Sequence, residues 1–227
     1  MSVSPAMQEY LAEAYRLAYY QNDDPYISTS DLAGVLHVSA PAVTRMVQRL
    51  KSGGYLEHEP YKGIYLTPTG EREALLNIRR HRLVERFLVD VMQFGWHEVH
   101  DDADTLGALV GDEVVARMEK MAGFPKRCPH GEPIPSADGK MPRIHDEPLS
   151  EKKPGTDWVI SRVATHASDK LQYLGTLGLI PGTRLHLLER APFNGPLQLT
   201  VDGKTLVIGH ELAGVLRVST EAEFNIV

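Results

Sequence analysis

Cysteine is almost absent: Cys128 is the only one in 227 residues. A single thiol excludes an internal disulfide and any zinc site built from several cysteines, and it fits a reducing compartment. No apolar run is long enough to span a bilayer, and the opening MSVSPAMQEYL lacks the basic-then-apolar build of a signal peptide. The expectation is a cytoplasmic protein with no membrane partner. Positive charge is also in short supply, since 24 Lys and Arg against 30 Asp and Glu leave a net charge of −6. Phosphate neutralisation normally needs a basic face, so any DNA affinity must come from local patches or from bound cations that offset the acid. Neither a phosphate-cradling glycine loop nor a nucleophile elbow is present, and an enzyme is not expected.

What is present reads as an ordinary globular chain, 42% hydrophobic and 24% charged, long enough for two small domains. Met7, Leu11, Ala14, Tyr15 and Ala18 have helical spacing over residues 4–20, and the turn residues NDDPY end that helix. A second helix starts at Ser28 or Ser30 and ends near His37. In SAPAVTRMVQRLKSGGYL, Ser39 is a good N-cap, Pro41 falls in the first turn, and Val43, Met46, Val47 and Leu50 form a buried stripe. Ala42, Thr44, Arg45, Gln48 and Arg49 then face outward. Two short helices joined by a tight turn make a helix-turn-helix, and YLEHEPYKGIYLTPTG adds two strands around a turn as a wing.

Thr67-Pro68 opens a long helix expected to run to about Gln93, with Leu76, Leu83, Val84, Phe87, Leu88 and Val91 on a broad apolar face. One further helix is expected from Asp102 to Met121, where Gly107 and Gly111 would let another helix approach closely. The excess apolar surface of this pair predicts a two-fold dimer matching a palindromic operator. Residues 124–156 are rich in proline and glycine and read as a connector that packs partly on the body. Short strands and two short helices from Trp158 to Ser219 suggest a small barrel.

Three groups of residues carry possible chemistry. His81 and Glu85 lie four apart on one helix face, able to clamp a divalent cation or to form a solvated ion pair. His100 stands just before Asp101, Asp102 and Asp104; the acids complement a helix dipole, whereas the histidine fits a metal site shared by two neighbouring helices. Cys128-Pro129-His130 is either a soft metal pair or, as the more economical reading, a structural linker.

The run SAPAVTRMVQRLKSGGYLEHEPYKGIYLTPTGE, followed by RRHRLVERFLVDV, resembles the diphtheria toxin repressor and manganese transport regulator family of metal-dependent transcription factors. CPHGEPIP resembles the linker of the longer members, and LQYLGTLGLIPGTRLHLLERAPFNGPLQLTVDGKTLVIGHELAGVLRV is similar to their SH3-like ferrous-iron-transport A domain. The resemblance implies an ancillary metal site at His81, Glu85 and His100. It implies a primary site at Glu9 and Asp104, although the family's following Glu-His pair is Gly107 and Ala108 here. It also implies a contribution from the turn His166–Lys170, with His166 and Asp169 as candidates. Hard oxygen ligands at Glu9 and Asp104, where iron-sensing relatives use methionine and cysteine, favour Mn(II), with Fe(II) as the alternative and Zn, Cd or Co as substitutes.

The expected fold is therefore mainly α with a β-rich C-terminal domain: a winged helix-turn-helix over 1–73, a helical metal-binding and dimerisation domain over 74–125, a proline-rich linker over 126–155, and an SH3-like barrel over 156–227. The expected function is a homodimeric, metal-activated repressor of manganese or iron homeostasis genes that binds double-stranded DNA. Pro41, Ala42, Thr44 and Arg45 would face base edges, and Ser39, Gln48 and Lys62 phosphates or neighbouring bases. The competing readings are a winged-helix regulator with a non-metal effector and a metal-handling transport accessory.

Overall fold

The computed structural model describes residues 3–20 and 24–226. By its contacts the chain divides into two compact units, one of Met1–Arg80 with Pro135–Met141, the other of His81–Ile134 with Pro142–Val227.

The first unit holds α1 (Pro5–Tyr20), α2 (Thr29–Leu36), α3 (Ala40–Ser52), the hairpin β1 (Leu56–Glu59) and β2 (Gly63–Leu66), and the start of α4 (Pro68–Asp90). The turn expected at NDDPY lies partly outside the described residues. Local chemistry sets each junction. Ser28 caps α2 by accepting from the backbone N–H of Asp31, at 2.9 Å, and His37 ends the helix in the left-handed region with φ 52°. Ser39 precedes α3 in an extended conformation, but its side chain makes no cap hydrogen bond; Pro41 in the first turn supplies the preset φ instead. Of the expected stripe, Val43, Val47 and Leu50 are buried and Met46 partly so, against Leu11, Ile27, Leu32, Ile64 and Ile78. Gly70 opens α4 so close to the wing that a Cβ there would lie 1.7 Å from the Tyr55 carbonyl oxygen. That approach fixes where α4 leaves the hairpin.

In the second unit, the single helix expected over 102–121 is two: α5 (Val99–Leu109) and α6 (Asp112–Met121). Val110 and Gly111 between them are extended, with ψ of 141° and 163°, and nothing lies within 4 Å of where a Gly111 Cβ would be. Gly111 is a helix breaker here, not a point of close helix approach. Leu88, Val84, Val99, Ala103 and Met118 pack α4, α5 and α6 together.

The remaining elements are β3 (Glu147–Pro148), β4 (Thr156–Val163), α7 (Ser168–Thr176), β5 (Arg184–Arg190), β6 (Leu197–Val201), β7 (Lys204–Ile208), α8 (His210–Val215), β8 (Leu216–Ser219) and α9 (Glu221–Phe224). The strands form an antiparallel sheet in the order β3-β8-β4-β5-β6-β7. Register shifts at Ile160/Arg162 and Leu187/Glu189 bend it, and Leu185, Leu187, Leu197, Leu199 and Val201 alternate into one core with Ile160, Leu171 and Leu216. This is the SH3-like, β-rich part that the sequence predicts.

Within the proline-rich connector, Cys128 to Ile134 are all buried and form a strap. Arg82 of α4 donates to the Pro133 carbonyl and pairs with Glu132 at 3.2 Å, and Glu132 pairs with Arg162 of β4 at 2.7 Å. Arg162 and Arg217 both donate to Asp146, whose side chain is 2% exposed. Gly131 turns the strap with φ 88°, and a Cβ there would lie 2.3 Å from the Ser161 carbonyl oxygen. Gly131→Ala is therefore expected to destabilise the protein by more than about 1 kcal/mol and to displace His130; a thermal melt that matches the parent protein would contradict this.

Candidate metal centre

The long helix α4 presents His81 and Glu85 on one side, one turn apart, so both reach the same point. The first turn of α5 adds His100, the strap adds Cys128 and His130, and the loop after β4 adds His166. Glu85 is the hub, 2% exposed. Its Oε1 lies 3.1 Å from His81 Nε2, 3.2 Å from His100 Nδ1 and 3.4 Å from His130 Nδ1. Two groups of donor atoms lie within 4.8 Å of one another, His81-Glu85-His100 and Glu85-Cys128-His130, sharing Glu85. The His166 ring stacks on His100 with centroids 3.9 Å apart and meets His130 edge-on at 5.7 Å.

The protonation of this cluster follows from its contacts. Burial opposes charge on Glu85, His81 and His130, and their mutual attractions overcome it. Burial alone would lift the Glu85 carboxyl, but the His81, His100 and His130 imidazoles hold it well below the usual carboxylate range. His81 is pushed up to about 9, against its desolvation, by Glu85 and Asp104. His130 rises to about 10 beside Cys128 and Glu85, and burial pushes the Cys128 thiol up.

One geometric fact bears directly on whether a cation fits. His130 Nε2 lies 2.8 Å from the Trp96 carbonyl oxygen, which can only accept, so Nε2 carries the hydrogen. In the neutral ring Nδ1 then presents a lone pair to the Glu85 carboxylate. That Nδ1 is buried and has no hydrogen-bond partner among the described residues. A lone pair facing a buried carboxylate needs either a proton or a cation between them, and a backbone carbonyl fixing the tautomer is the usual support of a metal-ligating histidine. The donor set of imidazoles, one carboxylate and one thiol fits a divalent transition metal.

The other expected site residues are distributed differently. Asp104 is 2.7 Å from His81 Nδ1, though off the hydrogen-bonding direction, and its side chain is 63% exposed. Gly107 is buried and Ala108 exposed on the same helix, and neither offers a donor. Glu9 is exposed on α1 in the first unit. Asp169 stands at the head of α7 and accepts from the Lys170 backbone N–H at 2.8 Å. Among the described residues it joins neither donor group. From sequence, Cys128 and His130 fit a soft metal pair, with a structural linker as the preferred reading; the signal is two donors in a proline-locked turn closed by Gly131.

The recognition-helix candidates of the first unit are on its surface. Ser39, Pro41, Thr44, Arg45 and Gln48 are exposed and Ala42 half-buried. Lys62, on the wing, pairs with Glu59 at 2.7 Å and is also exposed.

Comparison with known proteins agrees with this architecture. Three family models match in succession: the iron dependent repressor N-terminal DNA binding domain over residues 2–64, the iron dependent repressor metal binding and dimerisation domain over 67–136, and the FeoA domain over 147–220. A solved manganese-dependent transcriptional repressor in complex with manganese superposes with a TM-score of 0.85 at 33% identity, covering 94% of this chain and 99% of that one. The chain belongs to the iron- and manganese-dependent repressor family. Among curated relatives of this repressor family, the diphtheria toxin repressor of Corynebacterium diphtheriae is 26% identical over 91% of this chain and 95% of its own length. The iron-dependent repressor IdeR of Mycobacterium leprae is 27% identical over 82% and 86%. The repressor ScaR with bound Cd2+ has a TM-score of 0.77 at 30% identity, over 94% of this chain and 99% of that one. No helix among the described residues is long and apolar enough to cross a membrane.

Proposed function

We propose that this repressor is a Mn(II)-responsive homodimer acting in the cytoplasm, and that Glu85, His81, His100, Cys128 and His130 form its metal centre with His166 beside them. The observation that carries the reading is the convergence of three imidazole nitrogens on one buried Glu85 oxygen, with an orphaned His130 Nδ1 and the Cys128 thiol alongside. Bound Mn(II) supplies positive charge and a fixed coordination shell. The chain's own residues do the rest. Asp104 places a negative charge beside His81, Trp96 sets the His130 tautomer, and Arg82 with Glu132 anchors the strap. Mn(II) is preferred to Fe(II) here because a manganese-bound repressor superposes with a TM-score of 0.85; zinc, cadmium and cobalt suit the same donors.

Leu109, Val114 and Met121 are exposed on α5 and α6, which supports a second copy covering them and two recognition helices meeting a palindromic operator. α4 is continuous from the wing to Glu85, so ordering its metal-binding face selects among arrangements of the DNA-binding unit. Such coupling is typically worth about 1–3 kcal/mol. The test is fluorescence anisotropy of a duplex from a metal-transporter promoter, at fixed ionic strength, with and without Mn(II). Tighter binding with metal supports the proposal, and unchanged affinity ends it. Arg45→Ala is expected to weaken binding to the operator by about 1–3 kcal/mol while leaving Mn(II) affinity intact; loss of both would mean that Arg45 serves the fold instead.

A further inference from the structure

Next to the donor cluster, with Cys128 in the shared wall, the second unit contains a cavity of about 670 Å³. Its walls come from α4, from the loop at Trp96, from the outer side of the strap, and from the residues around Ile180 and Phe224. Charge and polarity are distributed unevenly around it. Arg86, Lys126 and Arg127 line it, and among the described residues no carboxylate does. Arg86 is already offset by Asp90, 2.6 Å from its Nε. Lys126 is exposed. Arg127 donates to the Gly131 carbonyl at 2.8 Å and to the Phe224 carbonyl at 3.3 Å and lies 4.7 Å over the Phe224 ring, which holds its positive charge at the cavity wall. Most of the remaining lining is apolar, with Trp96, Ile180, Pro181 and Phe224 as its large members and Asn225 as a polar one.

These features select a ligand class. Cationic side chains lining a cleft with no facing carboxylate favour an anionic group in it. Cavities of roughly 300–1,000 Å³ with apolar walls and few polar groups are typical of small-molecule sites. A bare inorganic anion would satisfy the cations and leave the apolar walls uncovered, whereas a neutral hydrocarbon would do the reverse. We propose that this cavity binds a small amphipathic carboxylate, its head group at Lys126 and Arg127 and its apolar body along Trp96 and Phe224.

The test is calorimetric titration of the metal-free, full-length protein with decanoate. Metal-free protein keeps the outcome separate from that of the metal proposal. Saturable binding is expected, weakened at least about tenfold by Lys126→Glu and abolished by Val89→Trp, which fills the cavity. Inorganic phosphate at equal concentration should not compete. Lys126 is exposed, so its variant folds even if the cavity-filling one does not. Absence of saturable binding, binding that Lys126→Glu leaves unchanged, or competition by phosphate equal to that of decanoate would each overturn the assignment.

Discussion

Replacing Glu85 by Gln is expected to lower Mn(II) affinity by at least about 100-fold, or about 2.7 kcal/mol, and to abolish the metal response of DNA binding. The reason is geometric. One Glu85 oxygen is within 3.4 Å of nitrogens from three histidines that come from α4, α5 and the strap, so it is common to both groups of donors. Gln keeps the shape and removes the charge. The isosteric change therefore separates electrostatics from packing, and the variant should remain folded. His130→Ala is expected to fall between the parent and Glu85→Gln, because it removes one donor and leaves the His81-Glu85-His100 group complete. Equilibrium Mn(II) titration followed by electron paramagnetic resonance reads both. Parent-like affinity in Glu85→Gln would show that the ion binds elsewhere.

The second large effect concerns stability. Asp146→Ala should destabilise the protein by about 3–5 kcal/mol, because it leaves Arg162 and Arg217 without their shared carboxylate in a buried setting. For a chain of this size that corresponds to a fall in Tm of roughly 6–20 °C. The pH dependence has a definite sign. Burial would raise the Asp146 pKa, but Arg162 and Arg217 lower it below the ordinary value. A carboxyl depressed in the folded state contributes stability that is complete above its unfolded pKa of about 3.9. That contribution is lost as pH falls through the folded value, so the parent and the variant should converge in acid. A difference between them that is constant from neutral pH down to strong acid would contradict the charge-pair origin.

Much of this was legible beforehand, for identifiable reasons. The α3 stripe of Val43, Val47 and Leu50 has helical period, and Pro41 and the glycines at 53 and 54 mark its ends, so the recognition helix could be placed to within a residue. Glu147–Pro148 could not, being too short to show any alternation. The break between α5 and α6 was hidden because Leu106, Leu109, Val110 and Val114 continue an apolar pattern across it; only Gly111 marks the stop. His81 and Glu85 were visible because helix geometry makes a four-residue spacing meaningful. The burial of Cys128 and His130 was not, because proline-rich segments carry no periodicity from which it can be read. What buries this strap is a set of long-range pairs, Arg82 and Arg162 with Glu132, separated by 50 and 30 residues. Asp104, expected as a ligand, lies 2.7 Å from His81 Nδ1, and the positions three and four residues on are Gly107 and Ala108.

The composition of the metal centre is tested most directly by the optical spectrum of the Co(II)-loaded protein. The account predicts a near-ultraviolet thiolate-to-Co(II) charge-transfer band, because Cys128 shares a donor group with Glu85 and His130, and it predicts that the band disappears in Cys128→Ser. A bound Co(II) ion with no such band, or a band that survives the serine substitution, would contradict it.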